Sequence, residues 1–290
     1  MKYELTNECI MKAGRKLFRI KALVDIGDEV KAGYLGGFIE KKDNLSHEGN
    51  AWVSGDACVY DNARVSDDAF LCGNAWVSGD ARVYGNASVS DDAFLCGNAS
   101  VSGDACLCGN ASVSGDACVY GNARVYGNAR VSGDACVCGN AWVSGDACVY
   151  GNARVSGDAC LCGNASVSDD ACLCGNARVS GNARVSGNAR VSGNARVSGN
   201  ARVSGNARVS GNARVNGDDD YAAIKGFGTE YRTTTFFRCV DKEVRVTCGC
   251  FYGTIEEFRK QVKATREGKI ADEYLKIADL MEEHFKTDSE

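Results

Sequence analysis

Paired cysteines are the first residues in this chain whose type and spacing could do chemistry. The chain contains 17 cysteines, and four Cys-x-Cys pairs fall in its middle part. Thiolates bind zinc or form disulfides where their geometry allows, and an odd count leaves at least one thiol unpaired within the chain. The alternative, which we favour, is that cysteine alternates with Ser, Tyr and Arg at tolerant surface positions. The pairs are Cys106 with Cys108, Cys136 with Cys138, Cys160 with Cys162, and Cys172 with Cys174.

Two further sets of residues are weak candidates for chemistry. Cys239, Cys248 and Cys250 could begin a zinc site, but a closed site needs a fourth ligand. The chain has only two histidines, His47 and His284, and histidine is the commonest general base. We interpret both as structural, with His47 in the aliphatic phase of an imperfect first repeat. The sequence therefore predicts no metal, no cofactor and no catalytic residue.

Arginine is the residue type with the most informative spacing. Residues 51–174 contain five arginines and 14 aspartates, whereas residues 175–216 contain seven arginines and no acid. If residues 18 apart stack on one face, these seven form three columns, and such columns cost free energy unless anions neutralise them. The alternative is that the side chains splay into solvent at little cost. The candidate anion-binding residues are Arg178, Arg184, Arg190, Arg196, Arg202, Arg208 and Arg214.

Aromatic side chains form a second candidate surface. By their phase in the sequence they point outward, and exposed aromatic pairs can mark an interface. The alternative is that a terminal segment folds back and covers them. The candidate interface residues are Trp52, Phe70, Trp76, Phe94 and Trp142.

A six-residue repeat must position all of these side chains. Alanine occurs at every sixth position from Ala51 to Ala213, and Val or Leu follows two residues later, in 28 consecutive units. The consensus is G-[ND]-A-x-[VL]-[SYC]. Six is not a multiple of the helical period, whereas A-x-V-x predicts a short strand and G-[ND] a turn. One unit cannot bury its apolar face alone, so we predict coils of three units that stack 18 residues apart.

This pattern resembles the left-handed parallel β-helix of hexapeptide-repeat proteins. The aliphatic residue with a small residue four places on, as from Val53 to Ala57, carries the likeness. The stretch GGFIE…NLSHEGNAWV with the hexapeptides behind it is similar to the uncharacterised YdcK-like bacterial and phage family. The left hand is what the resemblance implies. Many left-handed β-helix proteins are CoA-dependent acyltransferases with a histidine base and an extruded loop, but no repeat here carries an insertion.

The two ends of the chain do not follow the six-residue repeat. We predict three domains: an N-terminal β cap at 1–50, the β-helix at 51–216 and a small α+β module at 217–290. KLFRIKALVDI at 16–26 is a predicted strand of the cap. In the module, TTTFFRC and EVRVTCGCFY are predicted strands, and Thr254 with Glu257 forms a capping box at a helix start. Two amphipathic faces then predict two helices.

Charge and hydropathy limit the classes of function that we expect for this chain. The net charge of −5 gives no global reason to expect a nucleic-acid partner. No apolar run approaches a membrane span, and the first residues lack the apolar core of a signal peptide. We therefore expect a mainly β, cytoplasmic, non-enzymatic scaffold that binds a protein or polyanion, or oligomerises, through its faces and C-terminal module. The alternatives are a hexapeptide-repeat acyltransferase and, more weakly, a binder of nucleic acid or another anionic ligand through the arginine columns.

Overall fold

The computed structural model describes residues 1–286, and residues 287–290 of the predicted C-terminal module lie outside the described residues. The fold is mainly β, as predicted: a parallel β-solenoid with N-terminal strands and a small C-terminal antiparallel sheet with two helices. The chain divides into two compact units, Met1–Asp158 and Ala159–Glu290.

The first unit begins with an antiparallel hairpin ahead of the coils. Its strands, Tyr3–Lys12 and Arg15–Ala22, are joined by a tight turn at residues 13–14 with positive φ at both positions. The strand Leu35–Ile39 pairs antiparallel with the second hairpin strand and parallel with Cys58–Val59 of the coils. The predicted strand at 16–26 is therefore present but ends at Ala22, and its partner, Tyr3–Lys12, was not predicted.

The coils are built from two-residue strands, one in each repeat. Strands pair in parallel with a register of 18 residues, as Cys118 pairs with Cys136, which gives the predicted three repeats to a coil. In the first unit the coil strands are Trp52–Val53, Cys58–Val59, Arg64–Val65, Phe70–Leu71, Trp76–Val77, Arg82–Val83, Ser88–Val89, Phe94–Leu95, Ser100–Val101, Cys106–Leu107, Ser112–Val113, Cys118–Val119, Arg124–Val125, Arg130–Val131, Cys136–Val137, Trp142–Val143, Cys148–Val149 and Arg154–Val155. In the second unit they are Cys160–Leu161, Ser166–Val167, Cys172–Leu173, Arg178–Val179, Arg184–Val185, Arg190–Val191, Arg196–Val197, Arg202–Val203, Arg208–Val209 and Arg214–Val215.

The core of the coils consists of the repeated alanines and aliphatic residues. Every Ala from Ala51 to Ala213 and every Val or Leu from Val53 to Val215 is at most 1% exposed. Burial of each aliphatic side chain contributes roughly 1.5–3 kcal/mol. The residue between the buried Ala and the buried Val or Leu points away from this core, so its type can vary from repeat to repeat. These outward residues determine the chemistry of each face.

The corners of the coils need a left-handed backbone and are held by side-chain ladders. Each corner is the G-[ND] pair of the consensus. Its first residue has a positive φ and is glycine in most repeats and aspartate in four. At Asp91, for example, the carboxylate accepts a hydrogen bond of 3.0 Å from the Gly109 N–H one coil later. At the second corner position an asparagine amide donates to the residue 18 places on, as Asn98 does to Asp116 at 2.7 Å. The side chains at both corner positions thus form direct hydrogen bonds between successive coils.

The N-terminal segment covers the first coil edge. The Lys2 ammonium donates to the Ala51 carbonyl at 2.8 Å, and the Asn44 amide donates to the Ala63 carbonyl at 2.9 Å. Leu45 forms the bridge to Val65 and so occupies the aliphatic row. The prediction that His47 lies in that row is wrong, because the row runs from Ile39 to Leu45 and eight residues rather than six separate Leu45 from Val53.

The second unit ends in a four-stranded antiparallel sheet and two helices. Its strands are Tyr221–Phe227, Arg232–Arg238, Val244–Cys248 and Phe251–Thr254, after a 3₁₀-helix at Asp218–Asp220. EVRVTCGCFY was predicted as one strand, and the structure divides it at Gly249, where φ is +61. The helices are α1, Ile255–Thr265, and α2, Gly268–His284. The predicted capping box is confirmed, with Thr254 and Glu257 as its members.

The helices pack on one face of this sheet. Phe258 of α1 lies within aromatic contact of Phe236 on the sheet and Tyr274 on α2, with ring centroids 6.1 and 5.8 Å apart. Arg259 joins the helices from outside through ion pairs to Asp279 at 2.8 Å and to Glu282. The module therefore has a core of its own. In the part of the chain that the structure describes, no helix is long and apolar enough to cross a membrane.

Candidate functional site

The repeat brings the seven predicted arginines of the second unit into three columns. Arg178 pairs in register with Arg196, which pairs with Arg214; Arg184 pairs with Arg202, and Arg190 with Arg208. All seven occupy the outward position of a two-residue strand between buried Ala and Val, and all are exposed. Neighbours in parallel strands are ~4.8 Å apart, so each column concentrates positive charge.

These columns carry no compensating charge of their own. Within residues 1–286, none of the seven guanidinium groups forms an ion pair with a carboxylate. The Arg208 guanidinium donates to the Gly249 carbonyl at 3.1 Å. The arrangement is therefore suited to an external anion, although exposed guanidinium groups also gain from hydration.

The C-terminal sheet closes the last coil beside the columns. The hydroxyls of Thr235 and Thr247 take the place of a further strand. The Thr235 hydroxyl accepts from the Arg208 N–H at 3.0 Å, and the Thr247 hydroxyl donates to the Arg208 carbonyl at 2.9 Å. Asp218 accepts from the Arg202 N–H at 2.7 Å in the same manner. These contacts satisfy backbone groups that an open coil end would leave unpaired.

The same sheet turns one column into the floor of a concave site. Arg190 and Arg208 line a cavity of about 280 Å³, together with Lys225 of the first strand of the sheet, Arg232 of the second and Tyr231 of the turn between them. We call this cavity, defined by those five residues, the basic cleft. The two arginines were predicted site residues. The other three were missed, because residues 225–232 lie outside the repeat and their sequence gives no signal of nearness to the columns.

The aromatic candidates divide into buried and accessible residues. Trp52 is fully buried beneath the N-terminal segment, where Tyr3 meets it edge-on at 6.5 Å, so it is not available to a partner. Gly36 permits this cover, since a Cβ there would lie 2.7 Å from the Trp52 ring. The N-terminal segment, rather than a terminal domain folded back along the coils, thus covers Trp52. Phe70, in register with Trp52, is half-buried.

The other aromatic candidates keep some exposure. Trp76 and Phe94 are half-buried and in contact, with ring centroids 6.3 Å apart, and the Lys12 ammonium lies 4.2 Å above the Trp76 ring. Trp142 is 42% exposed and meets Tyr126 edge-on at 5.7 Å. An interface role for these residues stays a prediction.

The cysteines of the coils occupy the outward position of the repeat as predicted, but the N-terminal segment buries Cys58. Cys118 and Cys136 are register partners, and the Cys136 thiol donates to the Tyr120 hydroxyl at 3.7 Å. Burial raises the pKa of Cys136, which disfavours the thiolate that metals and electrophiles need.

The weak zinc candidates in the C-terminal module are not brought together. Cys239 is buried near Tyr252, and burial raises its pKa to about 11. Cys248 accepts from the Thr234 hydroxyl at 3.2 Å, and Cys250 is exposed in the turn. Over the described part of the chain, no three His, Cys, Asp or Glu side chains form a group that could hold a metal.

The histidines have structural contacts. His47 stacks on Tyr3 at 4.4 Å, and its Nδ1 accepts the Lys2 backbone N–H at 3.3 Å. Burial lowers the pKa of His47, which favours the neutral form that this bond requires. His284 closes α2 and meets Phe285 edge-on at 4.9 Å.

Comparison with known families agrees with the repeat geometry. The model of the YdcK beta solenoid repeat matches eight segments within residues 75–218. No curated protein matches the chain. The matched segments are 75–91, 117–133, 123–139, 147–163, 171–187, 183–197, 195–207 and 207–218. These matches agree with the parallel coils of the structure, and over the matched segments the chain is similar to YdcK-type β-solenoid repeats.

Proposed function

We propose that this chain is a non-enzymatic scaffold that binds an anionic partner through its arginine columns, with the C-terminal module completing the binding surface. The observation that carries the proposal is the set of seven exposed arginines, in register and without ion pairs among the described residues. The coils themselves offer a rigid support, because their interior is filled by buried Ala and Val.

The physical reason is the cost of the columns in the free protein. Two like charges ~5 Å apart repel by roughly 1 kcal/mol in water, and more near a protein surface. A bound polyanion removes that repulsion and releases its own counterions, so its affinity falls steeply with salt. An acidic face of a second copy offers the same relief, since residues 51–174 carry 14 aspartates against five arginines.

Three finer features belong to the same proposal. The coils are left-handed, which the hexapeptide resemblance supports. The protein works in the cytoplasm, which suits its many free thiols. It associates with itself through oppositely charged faces, which the uneven distribution of Asp and Arg supports.

The test compares retention of the full chain on a sulfated polysaccharide matrix. Changing Arg178, Arg184, Arg196 and Arg214 to Ser should lower the salt concentration at which the protein elutes. Serine already occupies this repeat position at Ser166, so the coils should form. The matched control removes four exposed charges from α1 and α2 instead, by Lys260, Lys263, Lys269 and Lys276 to Gln.

Sedimentation at low and high salt identifies the partner class. A salt-sensitive increase in mass that is lost in the arginine variant would show that the partner is a second copy. Elution of parent, arginine variant and lysine control at one salt concentration, with no salt-sensitive association, would contradict the proposal.

A further inference from the structure

We propose that the basic cleft binds a nucleotide, with its cations holding the phosphate groups and Tyr231 stacking on the base. The inference rests on the proposed anion-binding role of the arginine columns and gives one of them a ligand class. It is carried by the five residues of the cleft, three of which come from the C-terminal sheet rather than from the repeat.

The floor of the cleft is preorganised. Arg190 and Arg208 are register partners, and the amides of Asn188 and Asn206 beside them form a ladder at 3.2 Å. Arg208 is held at its guanidinium by the Gly249 carbonyl and at its backbone by two threonine hydroxyls. An anion that binds here meets a guanidinium already in place, which lowers the entropy lost on binding.

The walls add positive charge and no carboxylate. Lys225 and Arg232 line the same cavity of about 280 Å³ as Arg190 and Arg208, and Arg232 also borders a pocket beside α1. The nearest carboxylate to pair with them is Glu230, whose Oε2 lies 4.0 Å from the Arg232 guanidinium, at the limit of an ion pair, and it does not line the cleft. Guanidinium groups bind phosphate oxygens in a bidentate manner, and Lys binds them as a point charge.

Tyr231 indicates that the ligand has an aromatic part. The residue has a φ of +48, a left-handed conformation that is unfavourable for a large side chain, yet its side chain is 66% exposed. Strained residues of this kind concentrate at binding sites. An exposed ring beside phosphate-binding cations is the arrangement that stacks a base. Inorganic phosphate alone would leave the ring without a role.

The size of the cleft also fits more than a phosphate. Asn206, Lys225 and Thr233 line both the basic cleft and a second cavity of about 590 Å³, which continues toward Arg202 and Tyr221. A mononucleotide fits the first cavity, and a single strand would continue into the second. Free nucleotide and single-stranded nucleic acid therefore share one chemistry at this site.

The experiment is calorimetric titration of the full chain with ADP, with inorganic phosphate and with a short oligothymidine, at low and high salt. Changing Arg190 and Arg208 to Ser should weaken ADP binding at least tenfold. The matched control changes Arg64 and Arg82 to Ser, the same chemistry and charge loss in a register pair outside the arginine columns, and should bind ADP within about twofold of the parent.

A second variant tests the role of the ring. Tyr231→Asn removes the ring while keeping a residue that tolerates the left-handed backbone. It should weaken ADP binding about fivefold or more and leave phosphate binding unchanged, since base stacking on an aromatic ring has that magnitude. Tighter binding of the oligothymidine than of ADP would assign the site to single strands and support the inference.

Three outcomes would overturn the nucleotide site: no binding of ADP or oligothymidine at millimolar concentration, equal losses in the two arginine pairs, or no effect of Tyr231→Asn on ADP. None of them bears on the proposed scaffold function, whose test uses four arginines outside the cleft. Retention on the polyanion matrix with failed ADP binding would reject the site and leave the arginine columns as a general anion surface.

Discussion

Alanine at the corner position Gly187 should destabilise the second unit far more than alanine at Gly205. The two glycines are 18 residues apart in one column, with φ of +64 and +66. A Cβ at Gly187 would lie 3.0 Å from the Gly205 nitrogen and 3.1 Å from its oxygen, whereas a Cβ at Gly205 would meet nothing within 4 Å. The pair therefore separates the cost of the left-handed backbone from the packing of one coil on the next.

The magnitudes follow from these two contributions to the free energy of unfolding. A left-handed conformation costs an L-residue roughly 1–2 kcal/mol, and this cost applies to both variants. Forcing a methyl group into a packed backbone contact costs a further ~1–3 kcal/mol, and only Gly187→Ala incurs it. We expect a loss of about 1–2 kcal/mol for Gly205→Ala and about 2–5 kcal/mol for Gly187→Ala.

Hydrogen exchange measured by mass spectrometry on peptides from residues 175–216 is the suitable assay. It reports the opening of the coils themselves, whereas all three tryptophans lie in the first unit and would not sense it. Exchange in these peptides should accelerate more for Gly187→Ala than for Gly205→Ala. Equal acceleration, or a larger effect at Gly205, would refute the view that close backbone contact between coils requires glycine at this corner.

Two other perturbations test the capped ends of the coils. Thr247→Val keeps the shape of the side chain but removes the hydroxyl that donates to the Arg208 carbonyl, so it should lower the free energy of unfolding in urea by ~1–2 kcal/mol. The control, Thr234→Val, loses a bond to the Cys248 sulfur and should cost less. The opposite order would contradict the capping role of Thr247. Burial lowers the pKa of Lys2 to about 8, so the folded state disfavours the charged form, and stability should rise relative to Lys2→Met as the pH increases from 8 to 10. Thermal melts of parent and variant across that range measure the difference, and a constant difference would show that the Lys2 pKa is not shifted.

Much of this fold follows from local sequence. The unbroken spacing of Ala and Val predicts the two-residue strands, the 18-residue register and the buried core, because a period of six fits only a coil of short strands. The columns of Arg178, Arg184 and Arg190 follow from that register without any tertiary information. The capping box at Thr254 is likewise a local signal, and the structure confirms it.

The departures occur where distant segments meet. The outward phase of Trp52 predicts exposure, but the N-terminal segment covers it, since a neighbouring chain segment can bury any outward residue. His47 was assigned to the aliphatic row by counting in sixes, but two extra residues between Leu45 and Val53 give that place to Leu45. The strand that begins at Val244 ends earlier than predicted because the chain turns at Gly249, and the run EVRVTCGCFY gives no local signal of that turn.

The sequence by itself determined the periodic part of this protein: its coils, its core and the three arginine columns, since each depends only on residues at fixed separations. Only the tertiary structure decided the basic cleft. Lys225, Tyr231 and Arg232 belong to no period, and they reach Arg190 and Arg208 because the C-terminal sheet docks on the last coil through Thr235 and Thr247. Such docking depends on shape and hydrogen bonds between segments far apart in the chain, and no local pattern encodes it.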